Sequence, residues 1–172
     1  MAVSKIYAKG DRARSIDDFQ PDVVNKLINI LRKRLTDDLI KIEDIIEPDV
    51  ISKIALASGG VLRELVRISI RCCRICLIKI RKDLSRTDIK ITLEIFEEAC
   101  QDIRLDFERP LGQSDYQILE QISKGSLPVS GQQQEFLDLL HVLYILEYRN
   151  HQAWYDLHPI VIDLLRLKKI IT

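Results

Sequence analysis

From Val61 to Lys82 the chain runs without a glycine or proline, and Leu, Ile, Val and Cys fill it at helical spacing between Arg63, Arg67, Arg71, Arg74, Lys79 and Arg81. That pattern predicts one long helix as the central core element. It is not a membrane span, because even its most apolar stretch, Ile68 to Ile80, is broken by Arg71, Arg74 and Lys79. A shorter helix precedes it, opened by Pro48 and continued through Ile51, Ile54 and Ala55. Ser58-Gly59-Gly60 stops that helix, since glycine closes helices in a left-handed turn. A tight helix-to-helix corner is the expected result.

The rest of the chain has the same character. Pro21 stands where helices begin, and Val23, Val24, Leu27, Ile28, Leu31 and Leu35 line one face, predicting a helix over 22–35. Thr92 is a candidate N-cap for a helix through Ile95, Phe96, Ala99, Ile103 and Phe107 that Pro110 ends. The Pro and Gly cluster Arg109-Pro110-Leu111-Gly112-Gln113 marks a boundary. Beyond it, Ser114 with Gln117 has capping-box spacing, and Tyr116, Ile118, Leu119 and Ile122 give a short helical face ended by Gly125. Phe136, Leu137, Leu139 and Leu140 predict a further helix over 133–142. The period then shifts to that of strands at 144–149 and 153–157, a hairpin around Asn150-His151-Gln152, and Pro159 opens a last helix to Leu167. The predicted class is mainly α: a connector (1–19), a helical bundle (20–109) and a small winged-helix-like module with a β-hairpin (110–172).

Composition narrows the function. With 47% apolar residues the chain is not disordered as a whole. Lys plus Arg (26) balance Asp plus Glu (26), so nucleic-acid affinity has to come from a local patch. The first residues, Met1 to Arg14, have no apolar signal core, which predicts a cytoplasmic protein whose four cysteines stay reduced. Cys72, Cys73 and Cys76 lack a second Cys/His pair at zinc spacing, and Cys100 is isolated, so core filling is expected and no metal. His158, Asp156 and His141 have no Ser or Cys nucleophile in a motif beside them, and no catalytic residue is assigned. His158-Pro159 is expected to fix the exit from the hairpin into the last helix. Trp154 and Tyr155 are expected to pack a strand face.

The segment Ser58-Gly59-Gly60-Val61-Leu62-Arg63-Glu64-Leu65-Val66-Arg67 resembles the sensor-2 region in the lid of AAA+ ATPases, where a Gly-x-x-Arg motif begins a lid helix. A following acidic helix, a Ser114-Asp115-led helix and the hairpin Leu146-Glu147-Tyr148-Arg149-Asn150 with Trp154-Tyr155-Asp156-Leu157-His158-Pro159 extend it. Together they resemble the lid and degenerate winged-helix tail of prokaryotic AAA+ or STAND-like ATPases over roughly 20 to 168. The resemblance implies ATP as ligand, with magnesium, for a full-length ATPase. It also implies nucleotide-sensing roles for Arg63, Gly59 and Gly60, and a nucleotide-binding core domain, in the same or another chain, as partner. A guanidinium one turn into a helix after a double-glycine corner can make paired hydrogen bonds to a terminal phosphate. A surface arginine after an ordinary helix stop is the alternative.

The sequence contains no Gly-x-x-x-x-Gly-Lys-[Ser/Thr] loop and no apolar strand ending in paired acids, so the chain is not expected to hydrolyse ATP by itself. It then reads as the non-catalytic C-terminal regulatory region of an AAA+-like ATPase, or a free-standing relative without the core. At 100° per residue, Arg63, Arg67, Arg71, Arg74 and Arg81 share an arc of about 80° around the long helix. That basic edge faces nucleotide, nucleic acid or an acidic partner, or is simply the solvated face. The helix before the hairpin carries Gln133, Gln134, Glu135 and Asp138 but no Lys or Arg, and Arg149 with His151 are few cations for DNA. The winged module is therefore expected to contact protein. A stand-alone winged-helix DNA-binding regulator is the alternative.

Overall fold

The computed structural model describes Ile6 and residues 19–35, 40–83, 90–128, 132–150 and 152–172. Most of the expected connector lies outside the described residues. Among the described residues are eight helices and one two-stranded sheet: α1 (Pro21–Leu35), α2 (Ile42–Ile45), α3 (Pro48–Ala57), α4 (Leu62–Lys82), α5 (Leu93–Glu108), α6 (Gln113–Ser123), α7 (Gln133–His141), β1 (Ile145–Asn150), β2 (Gln152–Leu157) and α8 (Pro159–Leu167). The protein is mainly α with a β-hairpin, as its periodicity predicts. It divides into two compact units, Ala2–Asp102 and Ile103–Thr172, the division falling inside α5.

In the first unit, α1, α3 and α4 bury the apolar stripes read from the sequence. Leu27 and Leu31 of α1, Ile51 and Ile54 of α3, and Leu65 and Ile68 of α4 are all buried. Removing such a side chain from water stabilises the fold by roughly 1.5–3 kcal/mol each. The polar break after α1 holds the four-residue α2, which periodicity did not predict. A backbone device follows it. Ile46 and Ile91 form an isolated parallel bridge, with Ile91 N donating to Ile45 O at 2.8 Å and Glu47 N to Ile91 O at 3.1 Å. The link before α3 is thereby tied to the link before α5, with both isoleucines buried. α4 and the first part of α5 run antiparallel, as their ion pairs show. Arg71 Nη1 lies 3.2 Å from Asp102, while Lys79 Nζ reaches Glu94 at 2.9 Å and Glu98 at 3.2 Å. The hydrogen bond to Glu94, above all, raises the Lys79 pKa.

In the second unit, α6 and α7 pack with the hairpin, whose register pairs Ile145 with Leu157 and Asn150 with Gln152. Asn150 is thus a strand residue, and His151 lies outside the described residues. α6 begins two residues earlier than the Ser114–Gln117 spacing suggests: Gly112 is the N-cap, and the Asp115 carboxylate accepts its N–H at 2.8 Å. An acid in the first turn does the work expected of Gln117. His158 caps α8, its Nδ1 accepting from Ile160 N at 3.3 Å, and its ring lies 5.2 Å from that of Phe107. Trp154 stacks on Tyr148 at 4.4 Å, and Tyr155 meets Phe136 edge-on at 5.2 Å.

Candidate functional site: the corner before α4

Ser58, Gly59, Gly60 and Val61 are all buried. Gly59 has φ 62° and Gly60 φ 82°, two consecutive left-handed residues that only glycine adopts without a Cβ penalty. The Ser58 hydroxyl holds the corner from inside, donating to Ala55 O at 2.6 Å and accepting from Gly60 N at 3.3 Å. Val61 N donates back to Ser58 O at 3.1 Å, and Val61 O accepts the first helical bond of α4 from Leu65 N at 2.9 Å. The serine thus braces the corner itself, while α4 starts at Val61 without a side-chain cap.

Leaving this corner, α4 presents Arg63 and Glu64 in its first turn. Glu64 is buried, and its two oxygens face different arginines: Arg63 Nε at 3.5 Å and Arg67 Nη1 at 3.2 Å. A carboxylate near the positive end of the helix dipole is stabilised there, and each guanidinium offsets part of its desolvation. Arg63 itself is 57% exposed. Glu64 thus holds the root of the Arg63 guanidinium while the fork remains on the surface, an arrangement suited to bidentate contact with an external oxyanion. Sequence reading placed Arg63 and passed over Glu64. The signal was present in the Glu64–Arg67 spacing, a favourable pair three apart on a helix.

The five arginines do not act as one cluster. Arg63 and Arg67 share Glu64, whereas Arg71 reaches Asp102 of α5. Arg74 and Arg81 are exposed further along α4. Arg149 lies in β1 opposite Ala153, and its side chain is outside the described part of the structure. Cys72 is buried, and burial first, then the neighbouring thiols, pushes its pKa up to about 12. Burial likewise raises Cys73 and Cys76. These are thiols held protonated, the opposite of a nucleophile or metal ligand. Among the described residues no three His, Cys, Asp or Glu side chains are grouped as a metal site would need. No helix among them is long and apolar enough to cross a membrane. Comparison with protein-family models, curated proteins and solved structures gives no match for this chain.

Proposed function

We propose that this chain is a non-catalytic regulatory and interaction region that works against a nucleotide-binding core, with Arg63 sensing the terminal phosphate of ATP and the hairpin-bearing unit contacting protein. The observation that carries this reading is the exposed guanidinium of Arg63, rooted on buried Glu64 one turn after the left-handed Gly59-Gly60 corner. The corner fixes where α4 starts, and buried Glu64 lies 3.5 Å from the Arg63 Nε, on the inner side of a guanidinium whose exposed terminal nitrogens could meet a phosphate. ATP and its magnesium would be held by the core, not by this chain. The exposed side chains of α7 favour protein over DNA as the second unit's partner, because Gln133, Gln134, Leu137 and Asp138 supply no cation for phosphate contacts.

The test replaces Arg63 with a photo-crosslinking amino acid in cells that make the protein. The expected adduct is with a P-loop polypeptide, or with a P-loop segment of the same polypeptide, and added ATP suppresses it. In the complex so identified, Arg63→Lys keeps the charge but not the fork, and weakens binding of a fluorescent ATP analogue about tenfold. An adduct pattern indifferent to ATP, together with tight duplex-DNA binding at low salt, would refute this function in favour of a DNA-binding regulator.

A further inference from the structure

Among the described residues, one side of α4 is buried and the other is largely open. Leu65, Ile68, Cys72, Ile75 and Cys76 are buried in the first unit. On the opposite flank Val66, Ile70, Cys73, Leu77 and Ile80 recur at alternating steps of four and three. Ile70 is 46% and Leu77 51% exposed, and Val66, Cys73 and Ile80 are half-buried. A four-three alternation is the seam of a helix that packs lengthwise on another helix, with Ile70 and Leu77 in one row and Val66, Cys73 and Ile80 in the other. A helix apolar over most of its circumference is ordinarily buried over most of it, and among the described residues this flank stays largely exposed.

The charges beside the seam say what kind of partner. Arg67, Arg74 and Arg81 stand seven apart along one flank, the position from which side chains reach across to a paired helix. The other flank carries Leu62, Ser69 and Cys76 and no charge. Arg67 also contacts Glu64. Arg74 and Arg81 are exposed, with no ion-pair partner among the described residues.

We propose that this outward seam of α4 docks an acidic amphipathic helix of a partner polypeptide, its apolar stripe on Ile70 and Leu77 and its Glu or Asp residues facing Arg74 and Arg81. A second copy of the chain does not fit. Antiparallel seams would set arginine against arginine, and parallel seams would set arginine against Ser69 and Cys76, with no acid in either case. An anionic membrane surface fits less well, because a helix lying on lipid carries cations along both margins of its apolar face and this seam has them along one. The inference rests on the seam alone and does not depend on Arg63 meeting a nucleotide.

The probes are two labelled peptides of several heptads, each with Ile and Leu in the seam, one with Glu at both flanking positions and its twin with Lys there. Like charges keep each peptide from pairing with itself. Titrated with the full chain and followed by fluorescence anisotropy at low salt, the acidic peptide binds about tenfold more tightly than the basic one, and the preference shrinks as salt rises. Leu77→Asp removes binding, and because position 77 is exposed its thermal unfolding stays that of the parent. Arg74→Glu with Arg81→Glu reverses the preference. Equal binding of the two peptides, or none, overturns the proposal. So does a sedimenting dimer of the chain that Leu77→Asp dissolves, which would make the occupant a second copy. Co-flotation with phosphatidylserine vesicles that the same variants abolish would make it a membrane.

Discussion

Three helices of the second unit or its margin end in the same way, and only one of them uses glycine. At the end of α6, Gly125 has φ 74°, with Gly125 N donating to Ile122 O at 2.9 Å and Ser126 N to Gln121 O at 3.0 Å. At the end of α8, Lys169 has φ 58°, with Lys169 N donating to Arg166 O and Ile170 N to Leu165 O, both at 2.9 Å. Leu143 closes α7 by the same pair of bonds at φ 69°. This is the Schellman closure, whose left-handed residue is ordinarily glycine. A Cβ there costs roughly 1–2 kcal/mol, less about 0.4–1 kcal/mol recovered because the unfolded chain has fewer states to lose. A Cβ built on Gly125 meets nothing within 4 Å, so the strain stands alone without a clash. Gly125→Ala is therefore expected to destabilise the protein by about 1 kcal/mol, and Lys169→Gly to stabilise it by about the same amount. Lys169 is exposed, so little packing is lost with its side chain. Gly112→Ala is the control: φ is −93°, the new Cβ would sit 3.6 Å from Asp115 Oδ2, and a change within about 0.5 kcal/mol is expected. Urea unfolding followed by circular dichroism reads all three, and 1 kcal/mol corresponds to about 4–8 °C in Tm for a unit of this size. If Gly125→Ala stabilises, or Lys169→Gly destabilises by as much as Gly125→Ala, backbone strain is not what separates these helix ends.

Two further outcomes follow from buried groups. The Tyr144 hydroxyl donates to Phe107 O at 2.8 Å and its ring meets that of Phe107 edge-on at 4.9 Å, so Tyr144→Phe keeps the ring contact, removes the bond at the end of α5 and costs about 1–2 kcal/mol in the same urea assay. Cys72 is held protonated in the fold up to about 12, above its ordinary 9.0, so its contribution to stability is complete below pH 9 and declines as pH rises toward 12. The decline is at most about 1.4 kcal/mol per pH unit, and Cys72→Ala should flatten the urea midpoint measured between pH 9 and 10.5, whereas an unchanged slope would show that other groups control it.

The helices were legible because each buries one stripe, and the Ser58-Gly59-Gly60 corner because two adjacent left-handed residues leave glycine little competition. What escaped the sequence shares a physical cause: it depends on groups far apart in the chain or on residues acting against type. α2 has too few residues to show a period. The Ile46–Ile91 bridge joins two links with no strand pattern of their own. Leu143 and Lys169 adopt a backbone that their side chains disfavour, so no turn signal marks them. Glu64 reads as one more charge on a solvated face, yet it is buried, with two arginines beside it. The arginine stripe shared an arc without sharing partners. Helical spacing gives the arc of the arginines but not the acids beside them, Asp102 of α5 for Arg71 and Glu64 for Arg63 and Arg67.

Placed in the four-three frame of the α4 seam, Arg63 occupies the row of Ile70 and Leu77, one heptad before Ile70. A helix docked along the seam and long enough to reach the first turn would lie over that guanidinium. The proposed phosphate contact and the proposed helix contact are then not independent: a partner with an acid opposite position 63 would compete with phosphate for the fork, and one that ends short of it would leave the fork free. The first case is a negative coupling between two ligands of one helix, which must read the same from both sides, and the second is no coupling. The length of the partner helix past Ile70, more than its affinity, therefore decides whether the two proposed ligands compete for Arg63.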